Sequence, residues 1–468
     1  MWVFTYKFNS ENILDKYKAR LVVRGDLQRY SQHEDNYAAT LAARIFRALM
    51  AIAAYFDLEM EQFDAINAFT NSLIDELIYV RYPEGFTVPG YCLRLNRALY
   101  GLRRSPLLWF TDFSTTLVRL GLEQVPEAQC LFKNSKLILF FYVDDICILY
   151  HRNNREAYEA FRTQLLREYE MRELGELRWF LGIRIVRDRI QRKIWLCQDS
   201  YIESLVETFH LQSSKYPHTP MLTDELHPYE GQASPQEIYS YQRKVGSVQY
   251  AATITRPDAS RTVQKLAEFL TNPSPQHHTA VDRLIQYMNG TRTTALEYGQ
   301  LNQPPLFVAS SDAAFADDPT TRKSTEGYLF QLFGGPIDWR CTKQKTVTTS
   351  TTEAELLALS HTAKELYWWQ RIFTALHLDL DEDYSINCDN LQTVRLMLKE
   401  TPRLVTKLKH IDIHQHWLRQ EIATGGLNIQ WISTDSMPAD GFTKALPRQK
   451  HEAFVRQLGL VDIVSMVG

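Results

Sequence analysis

The chain has 468 residues, 45% hydrophobic and 23% charged, with a formal net charge of −3. This is a normal soluble composition with material for large cores, and the small net charge excludes a uniformly basic nucleic-acid sponge. No apolar run reaches the roughly 18 residues a bilayer span needs, and the opening MWVFTYKFNSENILDK turns polar too soon for a secretory leader.

Length sets a prior of two to four domains. The six cysteines are scattered without paired spacing, which argues against a structural zinc site or a disulfide framework and fits a reducing compartment. Cys147 and Cys388 read as buried apolar residues. Charge is uneven: residues 151–193 carry eleven Lys/Arg against seven Asp/Glu, and KYKARLVVRG holds Lys16, Lys18, Arg20 and Arg24.

In chain order, KARLVVRG alternates as a strand ending at Gly25, AARIFRALMAIAAYF has helical spacing, and LEMEQFDAI alternates again. ELIYVRYPEGF runs into a Pro/Gly turn, and SPLLWFTDFSTTLVRLGL predicts an amphipathic helix closing at Gly121. LILFFYV and ICILY predict two short strands, followed by a helix over NREAYEAFRTQLLREYEM and a hairpin over LRWFLGIRIVRDRIQRKIWLCQ. Residues 196–300 read as mainly helical, broken by the loop SSKYPHTPMLTDELHPYEGQASPQ. Beyond LNQPP come three strands, a long helix from about Ser350 to His377, then the strands YSINCDN and LNIQWIS with helices between them. That order predicts a mixed sheet with helices on its faces.

The first chemical candidate is ILFFYVDDICIL, where Asp144 and Asp145 interrupt the most apolar stretch of the chain. An unpaired carboxylate buried there would cost several kcal/mol. If the flanking strands form a hairpin, both aspartates lie at its turn, where bound divalent cations would offset their repulsion. An exposed Asp-Asp turn explains the same residues without chemistry. Asp64, in EQFDAINAF, interrupts a second half-buried strand. Three carboxylates around two Mg²⁺ ions roughly 4 Å apart suit in-line phosphoryl transfer.

YKARLVVRG, QFDAINAF, ELIYVRYPEGF, LNRALYGLRRSPLLW, YVDDI and LRWFLGIRI occur in an order that resembles copia-like LTR retrotransposon reverse transcriptases. The resemblance spans essentially the whole chain. It implies an α+β multidomain protein: a right-hand polymerase with fingers, palm and thumb, then a ribonuclease H-like α/β domain with a mixed sheet. The expected divisions are fingers and palm at 1–195, a mainly helical thumb or connection at 196–300, the ribonuclease H-like domain at 306–450, and a C-terminal tail at 451–468. It assigns catalysis and metal ligation to Asp64, Asp144 and Asp145. It places Phe69 where such enzymes exclude a ribose 2′-hydroxyl, and Lys18 and Arg20 on the strand that grips the triphosphate, Arg20 being able to hold phosphate bidentately. Tyr142, Gly101 and Arg103 would line the pocket for nucleotide and template, and Trp179 lies in the hairpin that supports the primer. Packing alone would also explain Phe69 and Trp179, a solvated strand face Lys18 and Arg20, and a turn Gly101.

The second candidate is distributed. Asp312 ends an apolar strand in VASSDAAF, Asp389 ends another in INCDN, and Asp440 starts a helix in MPADGFTKAL. Ser350-x-x-Glu353 and Thr352-x-x-Glu355 both fit a capping box; with Ser350 as N-cap, Glu355 is left free to point elsewhere. Singly, each is an ordinary surface or capping carboxylate. Together with SSDAAFADD, RKSTEGYLF, TTSTTEAELLALS, CDN, TKLKHIDI and PADGFTKALP they resemble the ribonuclease H domain of the same elements. That resemblance assigns metal ligation and hydrolysis of the RNA strand of a hybrid to Asp312, Glu355, Asp389 and Asp440. His410 and His414 precede Asp440 and read as structural.

The implied cofactors are two Mg²⁺ ions per site, or Mn²⁺. The implied partners are RNA template, DNA primer, RNA/DNA hybrid, dNTPs and, within a polyprotein, integrase or other parts of the parent, in cytoplasmic virus-like particles and away from membranes. Family members commonly carry an acidic residue where Ala314 stands and a glycine where Ser72 stands. No zinc knuckle, D-[ST]-G protease motif or integrase-like His/Cys cluster is present, and the family's fingers usually begin earlier, which predicts an excerpt of a larger polyprotein or a truncated copy. The alternative reading is a truncated or domesticated, non-catalytic descendant that only binds nucleic acid, in a salt-sensitive way. A metal-dependent nuclease without polymerase would require the first site to be coincidence.

Overall fold

The computed structural model describes residues 1–8, 14–28, 36–299, 305–380, 384–398 and 409–467. The chain forms two compact units, one of Met1–Ala42 with Leu58–Leu177, the other of Ala43–Asp57 with Arg178–Gly468. The first unit ends at Leu177, and one helix from the N-terminal segment belongs to the second unit.

The first unit opens with an antiparallel hairpin of β1 (Trp2–Phe8) and β2 (Leu14–Leu21). Alternation puts Lys16, Lys18 and Arg20 on one face of it and Tyr17 with Ala19 on the other. After the helix α1 (Ala43–Tyr55) come β3 (Glu59–Ala65), the short helix α2 (Ala68–Asn71) and a small pair, β4 (Tyr79–Val80) with β5 (Leu93–Arg94). Then follow α3 (Ser105–Arg119), β6 (Glu123–Val125), β7 (Ala128–Lys133), β8 (Leu137–Tyr142), β9 (Asp145–Tyr150), α4 (Arg155–Glu168) and β10 (Met171–Glu176). Six of these strands make an antiparallel sheet in the order β10-β3-β9-β8-β7-β6. Phe63, Phe113, Phe132, Phe140 and Phe141 are buried on it, each contributing roughly 2 kcal/mol by leaving water.

In the second unit α1 is buried at every position from Ile45 to Ala54. Its Arg47, 4% exposed, donates to the carbonyls of Ile337, Thr253 and Ile254 and lies 3.9 Å over the Trp339 ring. A five-stranded sheet runs β11-β12-β13-β14-β20, formed by Trp179–Phe180, Ile183–Asp188, Lys193–Cys197, Thr294–Tyr298 and Leu460–Asp462. Between its third and fourth strands lie α5 (Asp199–Phe209), α6 (Pro235–Ile254), α7 (Ser260–Ala267) and α8 (Pro275–Gly290), sharing a core around Tyr241, Val245, Leu284 and Met288. Of the segment expected as a tail, residues 451–467 are folded: Leu460 pairs with Leu296, and Ile463 is fully buried beside Trp195 and Ala295. Its apolar residues complete a sheet edge that would otherwise stay open.

The remaining sheet has the order β17-β16-β15-β18-β19, from Phe307–Ala314 (β15), Thr325–Leu332 (β16), Gly335–Lys343 (β17), Ser385–Cys388 (β18) and Asn428–Trp431 (β19). The first three strands are antiparallel and the last two add in parallel, the mixed sheet expected of a ribonuclease H-like domain. Its helices are α9 (Thr351–Ala375), α10 (Leu391–Met397), α11 (Lys409–Ala423), α12 (Asp440–Thr443) and α13 (Arg448–Gln457). Ser350 caps α9 as expected, accepting from Glu353 N–H at 3.2 Å, but Glu353 reaches back to Thr349 N–H and not to Ser350. Among the described residues, no helix is long and apolar enough to cross a membrane.

Candidate active sites

In the first unit a two-residue loop, Val143–Asp144, joins β8 to β9, so Asp144 lies in the turn and Asp145 opens the next strand. Val143 has φ of 57°, unfavourable for a β-branched residue by about 1–3 kcal/mol. Trp109 of α3, 1% exposed, holds the turn by donating Nε1–H to the Val143 carbonyl at 2.7 Å.

Asp64 lies directly opposite Asp145, and Arg172 of β10 directly opposite Asp64. Tyr142 is the partner of Asp145 on the other side. Direct partners share a face, so Arg172, Asp64, Asp145 and Tyr142 form a row across four strands. Asp64, Asp144 and Asp145 line a cavity of about 580 Å³ together with Lys18, Arg20, Tyr100 and Arg172. Burial, then repulsion from Asp144 and Asp64, lifts the Asp145 pKa to about 6. Burial also raises Asp144, while Lys18 and Arg20 pull it back. Carboxylates held charged only against such pressure suit a bound cation.

Phe69, Gly101, Arg103 and Trp179 are not among the residues that line this cavity. Phe69 touches Tyr100, ring centroids 4.8 Å apart. Gly101, at φ 90°, is required by close backbone approach rather than by the turn alone, and Arg103 donates Nε–H to the Gly25 carbonyl at 2.9 Å, tying the segment after β2 in place. Trp179 belongs to the second unit, where the Arg184 guanidinium covers its half-exposed ring at 4.7 Å. Sequence reasoning missed Tyr100 and Arg172. The first sits beside the glycine that drew attention, and the second lies on a strand that is exposed at five of its six positions, without an apolar rhythm. Ser72 has φ of −89°, so the backbone at this position does not require glycine.

In the second unit Asp312 lies inside β15, Asp389 directly follows β18, and Asp440 opens α12. Gly327, opposite Asp312, lets α12 approach: a Cβ there would sit 2.6 Å from Phe442. Oxygens of Asp312, Asp389 and Asp440 lie within 4.8 Å of one another, the one such group among the described residues. Asp64, Asp144 and Asp145 do not converge to that degree. Nor does Glu355, expected as an equal fourth ligand; it stands beside the trio, its carboxyl pushed well up by burial and by Asp312 and Asp389. Glu355 is 5% exposed and its Oε2 has no hydrogen-bond partner.

Asp312 is 1% exposed, and burial outweighs Lys444 in lifting its pKa to about 7. Thr443 donates its hydroxyl to Asp312 Oδ2, Thr434 donates to Asp389 Oδ2 at 2.8 Å, and Lys444 Nζ lies 2.5 Å from Asp440 and 3.9 Å from Asp312. Thr443 and Lys444, within the quoted PADGFTKALP, were not anticipated. Three converging carboxylates, a buried partnerless Glu355 oxygen and hard oxygen donors throughout fit a divalent cation such as Mg²⁺. His414 Nδ1 is 2.7 Å from Ser360 Oγ, a structural contact; the His410 side chain lies outside the described residues. Cys147 and Cys388 are buried.

The family model described as reverse transcriptase (RNA-dependent DNA polymerase) matches residues 1–223. The retrovirus-related Pol polyprotein from transposon TNT 1-94 of Nicotiana tabacum is 34% identical over 98% of this chain and 35% of its own length. The putative transposon Ty5-1 protein of Saccharomyces cerevisiae is 31% identical over 65% of this chain and 100% of its own length. A solved foamy viral protease-reverse transcriptase in complex with double-stranded DNA is 14% identical, with TM-score 0.44, over 90% of this chain and 63% of that one. The chain spans about a third of the length of the first curated relatives it matches.

Proposed function

Because this chain belongs to the reverse transcriptase family of copia-like retrotransposon Pol proteins, we propose that it polymerises DNA on RNA and DNA templates and cleaves the RNA of the resulting hybrid. The observation that carries the reading is the opposed pair Asp64 and Asp145, facing the same cavity as Lys18 and Arg20. In that cavity Asp64, Asp144 and Asp145 would hold the divalent cations, and Lys18 with Arg20 would bind the triphosphate oxygens and orient the nucleotide. In the second unit Asp312, Asp389 and Asp440 would ligate, Glu355 would complete the shell, and Lys444 and Thr443 would fix Asp440 and Asp312 in position. When bound, paired cations acidify the attacking hydroxyl or water and neutralise charge on the leaving oxygen. RNA template, DNA primer, dNTPs and hybrid are the proposed ligands, with integrase or other parts of the parent polyprotein as neighbours.

Primer extension on poly-rA with Mg²⁺, scored separately from cleavage of a labelled hybrid, tests this. Asp144→Asn should abolish extension alone and Asp312→Asn cleavage alone. Identical behaviour of wild type and both variants, with salt-sensitive binding and no turnover, would establish a binding-only descendant instead. Residence in cytoplasmic virus-like particles is part of the proposal; sedimentation of the chain free of particulate RNA would count against it.

A further inference from the structure

A wall excludes one hydroxyl group only if it does not yield. Phe69 is a half-buried ring on α2, a helix of four residues, and such a ring has other rotamers open to it unless something packs against it. Tyr100 does so: the ring centroids are 4.8 Å apart at 57°, a favourable tilted arrangement. Their backbones are locked together independently of the rings. Ala98 N–H donates to Ser72 at 3.0 Å, and the Arg97 guanidinium donates to the carbonyls of Asn71 and Thr70 at 2.7 and 3.2 Å. On its far side Tyr100 is anchored by its carbonyl, which accepts from Val23 N–H at 2.8 Å, and the Arg20 guanidinium lies 6.0 Å from its ring. Tyr100 itself lines the cavity with the three aspartates.

We propose that Tyr100 is the positioning residue that braces Phe69 against the ribose 2′-hydroxyl, and so sets how strongly this chain discriminates dNTPs from rNTPs. The inference rests on the polymerase reading and on Phe69 as the ring that meets the sugar. The brace is the aromatic face of Tyr100, and its phenol group is dispensable for the effect. Because the partner segments are held by main-chain bonds, loss of the Tyr100 ring frees Phe69 without displacing the helix that carries it.

The test is single-nucleotide extension with dNTP and rNTP on one primer–template, for wild type, Tyr100→Phe, Tyr100→Leu, Phe69→Ala and the Tyr100→Leu/Phe69→Ala pair. Tyr100→Leu should lower the dNTP/rNTP ratio of kcat/KM about tenfold, chiefly through a lower KM for rNTP. Tyr100→Phe should stay within about twofold of wild type. In the Phe69→Ala background Tyr100→Leu should change the ratio no further. Should Tyr100→Leu not fold, Tyr100→Met carries the same expectation. An unchanged ratio with intact dNTP turnover, additive effects in the double variant, or equal losses in Tyr100→Phe and Tyr100→Leu would each overturn the brace. A wild-type chain that extends with no nucleotide overturns the polymerase reading and the brace with it.

Discussion

A Cβ on Gly25 would lie 2.0 Å from the carbonyl oxygen of Gly101, and a Cβ on Gly101 would lie 2.1 Å from that of Val23. The segment that follows β2, the strand whose Lys18 and Arg20 line the cavity, is thus in backbone contact with the loop that presents Tyr100. Gly101→Ala also meets a φ of 90° that an L side chain resists. Forcing the two backbones apart displaces the cationic strand from the aspartates. Extension should fall at least about tenfold in kcat/KM for dNTP, since misplacement on the order of 1 Å is that expensive. Hybrid cleavage by the same preparation should stay within about twofold. Equal loss of both activities would contradict this account.

Trp109→Phe isolates the turn that carries Asp144. Phenylalanine keeps the stacking on Phe113 (5.0 Å, 17°) and the edge contact with Tyr169, but leaves the Val143 carbonyl without its donor. The expected loss is about 1–3 kcal/mol in urea unfolding, with a drop in extension beyond what the folded fraction explains. An unchanged midpoint with an unchanged rate would show that the strained turn holds itself.

What was legible in the sequence follows from which residues carry a periodic signal. The strands flanking Asp144 and Asp145, the helix α3 and the order of strands around Asp312 were readable because each buries a regular apolar face. β10 was not: Met171 is only half-buried and the five residues after it are exposed, so Arg172 could not be placed beside Asp64. The closing strand at Leu460 was equally opaque, since three residues show no rhythm and their partner, β14, lies over 160 positions earlier. The second carboxylate set was legible only as matching blocks. The reasons it converges are the space left by Gly327 and the reach of Thr443, both of them tertiary facts. The bond from the Arg103 guanidinium to the Gly25 carbonyl was not legible either, because it joins segments 78 positions apart.

If Asp312, Asp389 and Asp440 hold a divalent cation, millimolar Mg²⁺ should raise the melting temperature, because a ligand bound only by the native state stabilises it. The comparison belongs in an Asp144→Asn background, so that the first site does not dominate the response. Adding Asp312→Asn there should remove most of the Mg²⁺-dependent gain. In chelator the same change should leave the melting temperature equal or higher, since it removes one of several crowded, buried carboxylates. An identical Mg²⁺ response with and without Asp312→Asn would place the cation elsewhere.

The second unit also contains a buried polar chain whose protonation should shape acid stability. Arg256 and Asp258 are fully buried and paired at 2.7 Å, and Tyr287 donates its hydroxyl to Asp258 at 2.7 Å. That uses the only phenol hydrogen, so His451 Nε2, 2.8 Å from the same oxygen, must carry a proton and donate. Burial holds the His451 pKa below its ordinary value, with Asp258 opposing, and burial lowers His277 and His278 likewise. A histidine depressed in the folded state binds protons more readily when unfolded. Its stabilising contribution is therefore complete above about pH 6.5 and is lost as pH falls through the lower folded value. Asp258, held below the usual carboxylate range because Arg256 outweighs its burial, stays charged across that window. Wild-type melting temperature should consequently decline from pH 7.5 to 5.5. His451→Gln, whose amide can still donate to Tyr287, should lower stability at pH 7.5 yet show a shallower decline, the remainder coming from His277 and His278. Parallel pH profiles for the two proteins would mean that His451 takes up its proton without disturbing the network.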